Sequence, residues 1–295
     1  MTTPRLLLQL DPDPQPSVFD AIVAVDAGVE HLLRHGGVEP EQVRDLVYGA
    51  LFTRSPKELH NTAVFVGGAS VVRGEEIFAA VQKTFFGPFR CSAMFDANGA
   101  NTTAAAAVLA VEKHLALAGA NALVLGGTGP VGQRVARLLG RMGAHVRIGS
   151  RDQAKADQVR ARLTEQVPQA SFAAVETGSR AALQAALDGA SVVMAAGAPG
   201  AMLLAADVRR VGRSLQVAVD LNAVPPLGIE GVEAADKGVD RDGVIAYGAI
   251  GVGGLKMKIH TRAIQRLFET NDAVLDAEEI FTLGRELFAE SAAGR

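Results

Sequence analysis

Apolar and polar positions along this chain switch repeatedly between two periods. Short apolar runs predict buried strands at residues 5–10, 62–66, 90–95, 122–125, 145–148, 172–175, 191–195, 215–220 and 244–247. Between them the apolar spacing turns helical, as with Val72, Ile77, Val81 and Phe85 in a helix expected over 71–86, where Gly87-Pro88 stops it. Pro12, Pro14 and Pro16 keep 11–16 irregular, and Ser17 reads as the N-cap of a helix from Val18. A long helix to about residue 117 is expected to be capped by Asn101 or Thr102, and its Ala-rich run 104–111 suits a buried helix. Helices are also predicted over 131–141, 255–268 and 276–287. Strands alternating with helices at this spacing imply parallel βαβ units and an α/β fold.

A chain of 295 residues suits two domains. Gly119-Ala120-Asn121 breaks the composition and divides the chain into 1–118 and 119–269. The last helix lies beyond the strands of the second domain, so 270–295 is expected to pack back on the first. Net charge is −3, which leaves no global electrostatic footprint for nucleic acid or an anionic membrane. The chain is 48% hydrophobic and 21% charged, so a packed core is expected and global disorder is excluded. Cys91 is the one cysteine, which excludes an internal disulfide and points to a reducing, cytoplasmic setting. No apolar run reaches the ~18 residues needed to span a bilayer. No secretory signal is expected, because Pro4 and Arg5 precede a short apolar run that ends at Asp11 and Asp13.

Gly127-Thr128-Gly129-Pro130-Val131-Gly132 matches G-x-G-x-x-G. The string follows a strand and opens a helix, and a second strand arrives on schedule, which is the context that makes it a dinucleotide site. Gly127 permits the tight turn, Gly129 admits the pyrophosphate to the backbone, and Gly132 lets helix and strand pack closely. Pro130 gives up one N–H but suits the first helical turn.

The end of the second strand selects the nucleotide. An NAD site usually places a carboxylate there for the ribose 2′-OH. This chain has Ser150 and Arg151, with Lys155 one helical turn on. A hydroxyl and cations suit a 2′-phosphate, so NADP is expected over NAD, with NAD still possible. Ala196 and Gly197 end a later strand with small side chains, which would let the nicotinamide ribose lie against the backbone. Asn222 follows the next strand and is a candidate for nicotinamide contact, or for a turn. The histidines show no metal-ligand spacing. His31 and His35 are four apart, but Gly36-Gly37 ends that segment and no carboxylate completes a set, so no metal is expected. No G-x-S-x-G nucleophile string occurs.

Five further strings read together. They are Pro16-Ser17-Val18-Phe19-Asp20, Phe86-Gly87-Pro88-Phe89, Asp96 through Thr103, Asn222 through Ile229, and Gly253-Gly254-Leu255-Lys256-Met257-Lys258. In this order and nearly end to end they resemble the NAD(P)-dependent methylene-tetrahydromethanopterin dehydrogenases, above all the NADP-dependent branch. The resemblance implies an α/β N-terminal substrate domain, a Rossmann NADP domain, and a pterin substrate in the cleft between them. It also implies a homo-oligomer, trimeric or hexameric.

The chemistry asks little acid–base help. The methylene carbon bridges two nitrogens, and loss of hydride leaves a methenyl cation delocalised over both. The nitrogen lone pairs drive the step, so the enzyme must orient the carbon and stabilise spreading positive charge. The resemblance makes Asp20 the candidate for that charge, although an acid in a first helical turn is commonplace. Likewise it favours Lys256 as a ligand of the pterin carbonyl, over a surface lysine after a Gly-rich turn at 251–254. Lys258, two residues on, points elsewhere. Asn98, Asn101 and Thr102 either contact substrate or cap a helix. No match to the catalytic lysine motif of the folate-pathway cyclohydrolases is present, so dehydrogenase activity alone is expected. The competing expectations are a methylene-tetrahydrofolate dehydrogenase and a non-catalytic NADP(H)-sensing module.

Overall fold

A computed structural model describes residues 3–293. The chain forms two compact units, one from the N-terminal stretch through Thr102 joined by the chain from Met257 onward, the other Thr103–Lys256. The first unit opens with β1 (Leu6–Leu10), α1 (Val18–Asp26), β2 (His31–His35), α2 (Pro40–Leu51), β3 (Thr62–Val66), α3 (Val71–Thr84), β4 (Ser92–Phe95) and the start of α4 (Ala100–Glu112). The second holds β5 (Asn121–Leu125), α5 (Pro130–Arg141), β6 (His145–Ser150), α6 (Gln153–Gln166), β7 (Ser171–Glu176), α7 (Arg180–Leu187) and β8 (Val192–Ala195). It continues with α8 (Ala206–Arg209), β9 (Val217–Asp220), β10 (Lys237–Arg241), β11 (Val244–Tyr247) and the first turns of α9 (Ala249–Arg266). The chain then returns to the first unit with β12 (Val274–Leu275) and α10 (Ala277–Ala293).

In the first unit the strand order is β2-β1-β3-β4-β12, all parallel. β3 is buried at every position, as a central parallel strand covered on both faces must be. β1 lies between β2 and β3, so the order reverses there, and ligands bind outside the carboxyl ends of strands at such a switch point. In the second unit the order is β10-β11-β9-β8-β5-β6-β7. Its six parallel strands follow the doubly wound order, with the switch between β5 and β8. Leu123, Val193 and Ala218 of three neighbouring strands are buried in one core cluster.

The structure differs from the sequence expectations at several places. β2, α2, β12 and β10 carried no clear signal. β2 is an edge strand with three of five residues exposed, and His31 and His35 belong to it rather than to a helix-spaced pair. β10 runs antiparallel to β11, so the second sheet is not wholly parallel. α3 ends at Thr84, two residues early, because Phe86 turns away to bridge Phe89. The units divide at 102/103 and 256/257, inside α4 and α9, whereas the composition break falls at 119. A helix shared between two units carries no local sign of where its packing changes.

Candidate functional sites

The nucleotide turn is built by glycines with distinct tasks. Gly126 sits at φ +66°, and a Cβ on it would lie 2.8 Å from Gly197 Cα. The turns after β5 and β8 therefore meet back to back, and both must be small. A Cβ on Gly127 would lie 2.9 Å from Ile148 Cγ2, and one on Gly132 only 2.4 Å from the Gly126 carbonyl oxygen. These two glycines are required by packing. Gly129 is different: the nearest atom to a Cβ there would be 3.4 Å away. Internal packing tolerates a methyl at 129, so packing does not account for the glycine there. Gly129 is also the N-cap of α5 and makes no side-chain cap, with Pro130 at the first position. The helix start thus offers uncapped N–H groups, Thr128 lies before it and Val131 after it, and an anion is the natural partner.

Ser150 ends β6 nearly buried, and its Oγ accepts from Asp152 N at 3.1 Å, leaving its proton to donate. Asp152 is the N-cap of α6, with its carboxylate accepting from Lys155 N at 3.1 Å. Arg151 and Lys155 are exposed. Ala196 continues β8, donating to Leu125 O at 2.9 Å. Asn222 is buried and largely spent on its own loop: it accepts from Val224 N at 2.9 Å and donates to Pro226 O at 3.1 Å. Asp220 beneath it accepts from the amides of Asn222 and Ile229. Burial pushes the Asp220 carboxyl above its usual range, with those amides pulling the other way.

In the first unit the switch point gathers carboxylates. Asp11 follows β1 and is buried. Its carboxylate accepts from Asp13 N at 2.9 Å and Ser17 N at 3.1 Å, which fixes the proline loop. Burial raises its pKa, opposed by those two hydrogen bonds. Ser17 caps α1, accepting from Asp20 N at 3.2 Å. The cap is therefore Ser17, and the Asp20 carboxylate is not needed for that task. Gly67 follows β3, and a Cβ there would lie 3.3 Å from Asp20 Oδ2 and 3.6 Å from Asp11 Oδ2. Asn98 stands in the 3-10 turn Ala97–Gly99 after β4, exposed and left-handed at φ 53°, its N donating to Gly68 O at 2.6 Å.

Asn101 and Thr102 prove to be the capped residues, not the caps. Asp96 accepts from both of their backbone amides, at 2.9 and 3.0 Å, and from Thr102 Oγ1 at 2.7 Å. Asn101 donates to Phe95 O and to Asp276 Oδ1, the latter at 2.8 Å, and both residues are fully buried. Asp96 could have been found in the sequence as an acid directly after a strand and just before a helix start. His260 of α9 is buried close by, with Nδ1 4.0 Å from Asp96 Oδ2 and its ring stacked on Phe65 at 5.8 Å. It carried no sequence signal beyond being one histidine among six.

Lys256 lies within α9, not after a turn, because the helix begins at Ala249 and runs through the glycines. Gly251 is small for packing: a Cβ would lie 1.7 Å from the Asp236 carbonyl oxygen. Lys256 is half-buried and Lys258 exposed. Cys91 is buried, which pushes its thiol up to about 12 and keeps it protonated. Among the described residues no group of three His, Cys, Asp or Glu gathers as a metal site, and no helix is long and apolar enough to cross a membrane.

Known proteins are similar to this chain in fold or in sequence. Shikimate 5-dehydrogenase from Listeria monocytogenes superposes with a TM-score of 0.55 over 96% of both chains, at 11% identity, a likeness of fold. The family model for the N-terminal part of methylene-tetrahydromethanopterin dehydrogenase matches residues 18–98, which include Asp20 and Asn98. Two proteins of Methylorubrum extorquens are similar nearly end to end. The NAD(P)-dependent methylenetetrahydromethanopterin dehydrogenase is 29% identical over 96% of this chain and 98% of its own length. The bifunctional protein MdtA is 46% identical over 96% of this chain and 99% of its own. With likeness of that extent, the chain belongs to the methylene-tetrahydromethanopterin dehydrogenase family.

Proposed function

We propose that the protein oxidises methylene-tetrahydromethanopterin to its methenyl form by direct hydride transfer, with NADP as acceptor and NAD as a weaker substitute. The observation that carries this reading is the pairing of a ligand-demanding glycine, Gly129, at one switch point with the Asp20 carboxylate at the other. Bound nicotinamide supplies the hydride acceptor. The turn from Gly127 to Gly132 holds the pyrophosphate, and Ser150, Arg151 and Lys155 hold the adenosine end. Ala196 and Gly197 leave room for the nicotinamide ribose. Asn222 shapes the adjoining loop and keeps one face of its amide near the strand end. Asp20 offsets the positive charge that spreads over the two substrate nitrogens, and Lys256 orients the pterin through its carbonyl oxygen. Asn98 is the exposed member of the Asp96–Thr103 string and the one positioned to meet substrate. Asn101 and Thr102 support it by holding the β4–α4 corner rigid.

Substrate carrying deuterium on the methylene carbon tests the reaction. The label should appear in the reduced nicotinamide, and label lost to water would show that a proton, not a hydride, leaves the carbon. The tetrahydrofolate carrier shares the reacting centre, and kinetics with both carriers set their order. The working form is a homo-oligomer in the cytoplasm. Exposed apolar side chains on α1, at Val18, Ile22 and Val25, support association. Light scattering should give a mass of three or six chains, and a monomer at micromolar concentration would contradict it.

A further inference from the structure

Beside the nucleotide turn, a groove of 510 Å³ runs between α5 and α6. Thr128 and Gly129 of the turn and Gln133 of α5 form one wall, and Lys155, Gln158 and Arg162 stand along α6 opposite. Two cations, two carboxamides and no carboxylate line it. Arg162 donates to the Gln133 carboxamide oxygen, and Gln133 in turn donates to the Thr128 carbonyl. The guanidinium is thereby held against the turn by a neutral partner that leaves its charge uncancelled.

Resting on the NADP reading above, we infer that this groove seats the 2′-phosphate end of the cofactor. Arg162 is a further specificity-determining cation and Gln133 is the residue that positions it. Ser150, Arg151 and Lys155, the polar groups legible in the sequence, lie on or just after the strand end. Arg151 is exposed and must be ordered when ligand binds. Lys155 lies 3.8 Å from Asp152, which cancels part of its field. Arg162 is exposed as well, but its guanidinium is already held by Gln133 and is paired with no carboxylate among the described residues. A planar guanidinium already fixed by a hydrogen bond loses less freedom on meeting a phosphate, and its fork suits two phosphate oxygens. The volume exceeds what one phosphate needs and falls in the range of small-ligand sites, so it also takes part of the ribose.

Inhibition by 2′,5′-ADP and by 5′-AMP, which differ only in the 2′-phosphate, tests this on the intact enzyme. Arg162→Gln should weaken 2′,5′-ADP about tenfold or more while 5′-AMP changes less than about twofold. Arg162→Lys should recover part of the loss. Gln133→Leu should weaken 2′,5′-ADP in the same selective way, since Arg162 is then untethered. Equal losses for both inhibitors would mean that the Gln133 contact only braces the turn, and the inference falls. If Arg162→Gln changes nothing while Arg151→Ala selectively weakens 2′,5′-ADP, the inference falls and the NADP reading stands. If the unmodified enzyme binds both inhibitors equally, the NADP reading itself fails.

Discussion

Replacing Lys256 or Asp20 by alanine is expected to slow hydride transfer about 100- to 1000-fold, with NADP affinity nearly unchanged. Both residues stand outside the phosphate turn, so the cofactor cradle survives. A preorganised charged group aimed at developing charge is worth about 2.7–4 kcal/mol. For Asp20 the competing explanation is a helix cap, whose loss costs about 0.5–2 kcal/mol of stability and leaves kinetics alone. Ser17 holds the cap and accepts from the Asp20 backbone N–H, which survives the substitution. Asp20→Ala should therefore keep its melting temperature and lose its single-turnover rate. A destabilised variant with a normal rate would make Asp20 structural. Lys256→Ala with full turnover would leave the pterin without its proposed anchor.

Gly132→Ala and Gly129→Ala should fail in different ways. The added methyl at 132 meets the Gly126 carbonyl oxygen at 2.4 Å and Gly127 Cα at 2.8 Å. Both are backbone atoms that cannot swing aside, so α5 must shift off β5. Overpacking of this kind costs about 1–3 kcal/mol, and the uncapped N–H groups move with the helix. Gly132→Ala should lose both thermal stability and cofactor binding. At 129 the methyl has internal space and fills the ligand's approach instead. Gly129→Ala should melt normally and bind NADP at least about tenfold more weakly, a loss of 1.4 kcal/mol. Calorimetric titration with NADP and thermal melts on both variants separate the outcomes. Normal NADP binding by Gly129→Ala would remove the pyrophosphate from this turn.

The second unit was legible because its signals are local. A buried strand, a glycine turn and a helix start each occupy only a few consecutive residues. The chain order of the strands then gives the switch point between β5 and β8. Gly126 escaped notice because the motif begins one residue later, yet only backbone geometry shows that it, too, must be glycine. The first unit was harder to read. β2 and β12 are edge strands, and edge strands need little of the continuous apolar run that marks a central one. Asp96 escaped notice, and Asn101 and Thr102 read as caps or substrate contacts rather than capped residues, because capping reaches back across the turn at 97–99 and the sequence shows only that polar residues cluster there. His260 is distant in sequence from Phe65 and Asp96. Nothing local announces a partner nearly 200 residues away. Arg162 lies two helical turns beyond Lys155, farther along α6 than the strand end where nucleotide selectivity is usually sought, and only the groove reveals it.

The pairing of β12 with β4 bears on how the chain comes off the ribosome. Val274 and Leu275 pair with Ala93 and Met94, Ser92 Oγ donates to Thr270 O, and Asn101 reaches Asp276. The first sheet thus lacks its outer strand until the chain has grown ~180 residues past β4. At ~5–20 residues per second, that edge is exposed for about 10–35 s. The continuous segment Thr103–Lys256 can meanwhile fold on its own contacts. The part of the molecule made first is the part completed last. An early stop anywhere before residue 274 leaves an open strand edge, the feature most prone to intermolecular pairing.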